Sequence, residues 1–257
     1  MDKDDSEETP SQNWTHFGYV KVLADEKAGK VAQVFESVAR RYDLMNDLMT
    51  WGLHRHWKRS AVKLSGVRSG DRVLDLAGGT GDLALRLARR VGAEGSVVLA
   101  DINPWMLVEA ERRLAGNDLA TRITLTQADA EALPFDNDSF DVVTISFGLR
   151  NVTDQDKAIR DILRVLKPGG RLVVLEFSRP VAQSVRPLYH AYSFAVLPAM
   201  GKLCSNDAAS YRYLAESIRM HPDRDTLRDM IVNAQFARCD YSTMLYGIVA
   251  AHVGVKA

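Results

Sequence analysis

The sequence predicts an α/β fold, a doubly wound and mostly parallel sheet. Three observations predict it. Short apolar runs alternate with helical patterns between residues 72 and 177. A glycine-rich turn, AGGTG, follows the first of those runs and opens a helix. The composition, 46% hydrophobic and 26% charged, suits one sizeable buried core that needs no staples.

The elements follow in chain order. The N-terminal MDKDDSEETP is acidic and lacks the apolar centre of a signal peptide. Residues 1–14 are therefore expected to be a disordered tail, followed by one domain over 15–257. Residues 25–64 read as helical. Val31, Val34, Phe35, Val38 and Tyr42 share one face, and Leu44, Met45, Leu48, Met49, Trp51, Leu53 and Trp57 continue an apolar surface broken by Gly52. Strands are expected at Arg72–Leu76, 96–100, Ile123–Gln127, 141–146 and 171–177. Helices are expected at 82–90, Pro104–Leu114 and 154–165, with Pro104 suited to a first helical turn. LKPGG at 166–170 reads as the turn closing the third of these helices. Residues 180–219 are aromatic-rich and read as a helical insertion that covers substrate. A helix at 223–234 and two β-rich runs, 237–246 and 248–252, complete the chain as a hairpin at the sheet edge.

Charge narrows the function. Lysine plus arginine and aspartate plus glutamate each total 33, so no global positive field marks a nucleic-acid binder. Two cysteines, Cys204 and Cys239, lack pairing or metal spacing and suit a reducing compartment. His54 and His56 point to different sides of a helix, and no metal site is expected. The longest weakly polar stretch, 187–201, is interrupted by proline and glycine and falls short of the ~20 residues a membrane span needs. A cytoplasmic protein, or one peripheral at the inner membrane face, is expected.

The glycine run carries the chemistry. Gly79, Gly81 and Ala84 satisfy G-x-G-x-x-A, and Asp101 lies 20 residues beyond Gly81, so a nicotinamide dinucleotide fits the spacing. Three acids argue for another nucleoside. Asp75, just before the glycines, repels a pyrophosphate but attracts an ammonium or sulfonium. Asp101 can accept from two ribose hydroxyls. Asp129 can accept from an adenine amino group while the Ala130 N–H meets a ring nitrogen. Together they describe a site for a cationic, phosphate-free nucleoside, S-adenosylmethionine. An isolated acid after a strand has a plainer role as a cap or turn residue, so the common register of the set carries the reading.

Longer motifs add a resemblance. VFESVARRYDLMNDLMTWGLHRHWK, VLDLAGGTGD, ADIN, ADAEALPF, ISFGLRNVTD, RVLKPGGRLVVLEF and SYRYLAESIRMHPD resemble the ubiquinone/menaquinone biosynthesis C-methyltransferases, from about Thr15 to the C-terminus. Ala77 departs from the wider superfamily, where many members carry glycine. The resemblance implies a class I S-adenosylmethionine-dependent methyltransferase fold, Rossmann-like, with seven strands and the last antiparallel. It implies a methyl acceptor that is a ring carbon of a prenylated hydroquinone: demethylmenaquinol, and 2-polyprenyl-6-methoxy-1,4-benzoquinol. By position it makes Thr80, Asp101, Asp129, Ala130 and Ser146 cofactor contacts; the physical argument adds Asp75 and Gly79.

An aromatic carbon becomes nucleophilic when its quinol loses a proton, and a phenol titrates near ~10. Arg150 and Asn151, just beyond the fourth strand, are the candidate catalytic residues. Arg150 would stabilise the oxyanion or orient a water, and Asn151 would hold a quinol oxygen. The competing role for Arg150 is a loop-holding pair with a carboxylate such as Asp154. Residues 44–57 and 188–200 would cover the isoprenoid tail, or are core. Arg55, Lys58, Arg59 and Lys63 form a basic face toward anionic lipid, or a solvated one. A homodimer or a quinone-biosynthesis complex is the expected assembly. The alternatives are a methyltransferase of another lipophilic acceptor, a dehydrogenase, and a noncatalytic scaffold.

Overall fold

The computed structural model describes residues 13–38, 42–181, 187, 191–192 and 208–257. The tail to residue 12, Cys204 and most of residues 182–207 of the 180–219 insertion, including most of the 188–200 stretch, lie outside them.

A seven-stranded sheet organises the molecule. Its strands are β3 (Arg72–Leu76), β4 (Ser96–Asp101), β5 (Ile123–Gln127), β6 (Phe140–Ser146), β7 (Leu166–Phe177), β8 (Arg238–Met244) and β9 (Val249–Val255), in the spatial order β5-β4-β3-β6-β7-β9-β8. β3 to β7 pair in parallel, and β9 runs antiparallel to both neighbours. The order reverses between β3 and β6. A cleft opens beyond the carboxyl ends of strands at such a reversal.

The strands are apolar on both sides because both faces are covered. Leu172 and Val174 pack in the cluster that holds α6 (Gln155–Val165) and α8 (Arg224–Asn233), through Ile159, Ile162, Leu227 and Ile231. Val173 and Leu175, one residue out of step, pack against Trp57 and Ala61 of α3 (Leu53–Ser65). Val73, Val97 and Val142 meet α4 (Asp82–Val91) through Leu83, Leu87 and Val91.

Several elements differ from the sequence expectation. Trp14–Phe17 (β1) and Val20–Leu23 (β2) form a hairpin ahead of the helices, turning at Gly18 with φ 59°. Residues 25–64 are three helices: α1 (Ala24–Val38), α2 (Tyr42–Thr50) and α3. Left-handed Trp51 and Gly52, at φ 52° and 72°, separate the last two. The expected LKPGG turn is a bulge at the start of β7, because the register slips between the pairs Phe140–Leu166 and Val142–Arg171. The terminal hairpin forms at the sheet edge as expected, with β9 between β7 and the edge strand β8. α7 (Ala208–Met220) forms the last part of the insertion. No helix among the described residues is long and apolar enough to cross a membrane.

Candidate active site

The turn after β3 positions the site. Ala77, Gly79 and Gly81 all have positive φ, at 50°, 56° and 83°. Glycine has no Cβ penalty there, whereas Ala77 is strained. The Ala77 methyl fills space left by Gly148, where an added Cβ would sit 2.5 Å from it. The turn delivers Gly79 N to Asp101 Oδ2 at 2.9 Å.

Two cavities meet at this turn, sharing Ala77, Gly79, Ser146 and Phe147. The larger is lined by Asp101, Asn103, Asp129, Ala130 and Asn151 together with apolar residues of α1. Asp101 is held by backbone donors, Gly79 N on one oxygen and Asn103 N on the other, both at 2.9 Å. Burial raises its pKa, and these donors partly offset that rise. Asp129 turns its chain by accepting from Glu131 N at 2.9 Å, and Ala130 is buried behind it. Asn103 also caps α5 (Pro104–Leu114), accepting from Trp105 N at 2.9 Å.

The second cavity is lined by Asp75, Thr80, Arg150, His54 and Lys58, with Met49, Phe147, Phe177 and Leu214 as apolar walls. Asp75 is 1% exposed. Thr144 Oγ1 donates to its Oδ1 at 2.8 Å, and its Oδ2 is buried without a partner. Burial pushes its pKa up to about 7. Ser146 Oγ, between the cavities, is also buried and unpartnered. Thr80 donates to Asp43 of α2 at 3.2 Å, and Asp43 pairs with Arg113.

These residues fit the expected donor. Asp101, Asp129 and Glu131 line the larger cavity, and among the described residues no lysine or arginine does. A pyrophosphate would meet three carboxylates there and no counter-charge, whereas a cation finds Asp75 waiting next door. The dinucleotide reading fails on that charge pattern.

The two candidate catalytic residues are more engaged than their motif suggests. Arg150 is 7% exposed, and its Nη1 donates to both Glu176 oxygens at 3.1 Å and to Phe147 O at 2.5 Å. Its carboxylate partner is therefore Glu176 on β7, not Asp154, which caps α6 by accepting from Lys157 N at 2.9 Å. Arg150 Nε is buried with no partner. Asn151 lies on the larger cavity and accepts from Tyr213 Oη at 3.0 Å. Burial pushes the Tyr213 phenol up to about 12, so it is the donor.

Lys58 leaves the expected basic face: it is buried and pairs with Asp82 at 3.2 Å. Trp57 belongs to the core, against Phe147 and Phe177. Among the described residues no group of three or more metal-ligating side chains could hold an ion. Sequence reasoning missed Asp43, Glu176, Tyr213 and the pair of Asp47 and His54. Local spacing carried no signal for the long-range partners; of His54 it gave only a place on a helix, on a different side from His56.

The ubiE/COQ5 methyltransferase family matches residues 21–256. The chain belongs to that family. Relatives from Pseudomonas paraeruginosa (strain PA7) and Pseudomonas putida (strain GB-1), both named ubiquinone/menaquinone biosynthesis C-methyltransferase UbiE, are 60% identical over 242 residues, 94% of this chain and 94% of theirs. A solved S-adenosylmethionine-dependent methyltransferase from Aquifex aeolicus is 14% identical, with a TM-score of 0.59 over 78% of this chain and 89% of its own. That likeness shows the fold. The chain is an S-adenosylmethionine-dependent methyltransferase.

Proposed function

We propose that this enzyme methylates a ring carbon of a prenylated hydroquinone, with demethylmenaquinol and 2-polyprenyl-6-methoxy-1,4-benzoquinol as its acceptors. The observation that carries the reading is 60% identity over 94% of the chain to relatives named for C-methylation in ubiquinone and menaquinone biosynthesis. The cavity walls agree with it: Phe147 and Phe177, with centroids 4.7 Å apart, present a surface for an aromatic ring.

When bound, S-adenosylmethionine supplies an electrophilic methyl group on a positively charged sulfur. Asp101 would accept from its ribose hydroxyls, and Asp129 with the Ala130 N–H would read the adenine edge. Gly79 holds the turn against Asp101, and Thr80, buried beside it, and Ser146 would supply hydroxyl contacts. Asp75 would face the cationic end of the donor. Arg150 is paired with Glu176 and cannot take a proton. The guanidinium N–H groups not engaged by Glu176 or Phe147 would be the ones to donate to a quinol oxyanion or to a water beside it. Asn151 would support this through Tyr213.

α1 to α3 would form the cover over the donor, and α7, whose Leu214 lines the smaller cavity and whose Tyr211 packs with Met49, would border the isoprenoid tail. Leu44, Leu48, Trp51 and Leu53 are exposed beside Arg55, Arg59 and Lys63, which suits peripheral contact with the lipid that carries the quinol. Sedimentation with anionic liposomes that is insensitive to salt would exclude the electrostatic part of that contact.

The test of the main reading is transfer of labelled methyl to both quinols in parallel, with the labelled position located on the ring. Label on a ring carbon supports it. Label on oxygen, or none with either reduced acceptor, removes it.

A further inference from the structure

The smaller cavity holds one more group suited to chemistry. His54 sits in the first turn of α3 and is 4% exposed. Its Nε2 lies 2.8 Å from Asp47 Oδ1, and its Nδ1 is buried with no partner. Hydrogen bonding with Arg55 lowers the Asp47 pKa, so that carboxylate is ionised at neutral pH and can only accept. The proton of the neutral imidazole therefore resides on Nε2, and the Nδ1 lone pair is free. The charged groups around it are Asp47 and Arg55, Lys58 on α3, Asp82 on α4, and Asp75 and Arg150 on the same cavity wall. Burial, Lys58 and a position at a helix N-terminus all favour the neutral ring.

We propose that His54, oriented by Asp47, is the base that takes the hydroxyl proton of the quinol. This rests on the quinol reading above. Two facts carry it. His54 lines the cavity that holds Asp75, Ser146 and Arg150, and its ring carries an unpartnered Nδ1 lone pair, which protonated Arg150 lacks. In the step, the O–H bond breaks, its electron pair stays on the quinol oxygen, and the proton moves to Nδ1. The resulting imidazolium is paired with Asp47. Its proton returns to that oxygen when the ring recovers aromaticity by losing its own ring proton to solvent. Asp47 is a positioning residue: it fixes the tautomer and stabilises the imidazolium.

The competing role for His54 is to hold the carboxylate of the donor together with Lys58, and the test separates the two. In His54→Gln the amide can still donate to Asp47, but no base remains. The expected results are a fall in kcat of ~100-fold, donor affinity by calorimetry within twofold of wild type, and recovery of rate as pH rises toward the phenol pKa. A readout without turnover uses a nitrophenol of near-neutral pKa bound to the donor-free enzyme. At pH 6 its visible phenolate band should be stronger with wild type than with His54→Gln, where only the ~10% that ionises in free solution remains. Asp47→Asn should lower kcat less than His54→Gln does and shift the acid limb of the pH profile. The proposal is overturned if kcat stays within threefold, if donor affinity falls in step with kcat, or if the phenolate band is the same in both proteins. Should His54→Gln not fold, as judged by circular dichroism, His54→Asn and nitrogen shifts of His54 in the wild-type enzyme with bound nitrophenol decide instead. An Nδ1 that remains unprotonated when the phenolate forms overturns the proposal. Failure of the quinol reading looks different: wild type itself then leaves both quinols unlabelled.

Discussion

Asp75→Asn tests whether the buried carboxylate is the counter-charge of the donor. The group is 1% exposed, one of its oxygens has no partner, and its pKa is raised from 3.8 to about 7. At about 1.4 kcal/mol per pKa unit, keeping it ionised costs the donor-free fold on the order of 4 kcal/mol. The sign follows from linkage. Between pH 4 and 7 the folded protein holds a proton that the unfolded chain has released, so stability falls as pH rises through that window and is level above it. A cation against Oδ2 favours the ionised form and lowers the pKa again. Donor binding must therefore expel the proton. A group of pKa about 7 releases roughly 0.9 of a proton at pH 6 and roughly 0.1 at pH 8. Calorimetric titration with S-adenosylmethionine in buffers of different ionisation enthalpy measures that number directly. Asp75→Asn should abolish the release at pH 6, weaken the donor by ~10-fold or more, and melt no lower than wild type at pH 8 when donor-free. No proton release from wild type at pH 6, or equal release from both proteins, would refute the argument.

Other changes probe the frame around this site. Glu176→Ala leaves Arg150 charged, buried and unpaired, a loss of ~3–5 kcal/mol; a melting point lower by ~10 °C is expected, and an unchanged one would show that Arg150 finds another partner. Gly148→Ala places a methyl 2.5 Å from that of Ala77 and should cost ~1–3 kcal/mol. Adding Ala77→Gly should recover much of it, whereas strictly additive losses would mean that the two do not touch. Asp43→Ala releases both Thr80 and Arg113, and donor affinity should fall several-fold with kcat at saturation little changed. Arg150→Lys keeps the charge but loses the two-oxygen grip on Glu176, so quinol turnover should fall while donor binding holds; normal turnover would remove Arg150 from the reaction.

Much of the fold was legible because its signals are local. Strands β3, β4, β6 and β7 each contain an apolar run with both faces buried, as strands covered on both sides do, and the caps Asn103 and Asp154 sit immediately before their helices. Where the reading slipped, a local signal met a tertiary one. The proline and two glycines of LKPGG mark a turn, yet here they form a bulge that keeps Leu166 paired with Phe140. The β1–β2 hairpin has no alternating apolar pattern of its own. What holds it is distant: Phe17 stacks on Tyr213 at 4.2 Å, and Tyr19 N donates to Glu216.

The candidate site divides along the same line. Gly79, Thr80, Asp101, Asp129 and Ala130 follow strand ends, so the topology alone brings them to the cleft. The partners that determine what the catalytic groups can do come from elsewhere in the chain. Glu176 on β7 reads as one polar residue in an apolar strand, LVVLEF, and nothing in its neighbourhood names Arg150, 26 residues earlier. Asp47 and His54 are seven apart, which in one unbroken helix would put them on the same face but about 10 Å apart along the axis, out of hydrogen-bond reach; instead a helix break at Trp51 and Gly52 separates them. The left-handed break folds α3 back so that the carboxylate of one helix meets the imidazole of the next. Straighten that break, for instance with Gly52→Pro, which cannot adopt φ 72°, and the pair must separate. If His54 takes the proton of the quinol, such a variant keeps its donor cleft and loses methyl transfer.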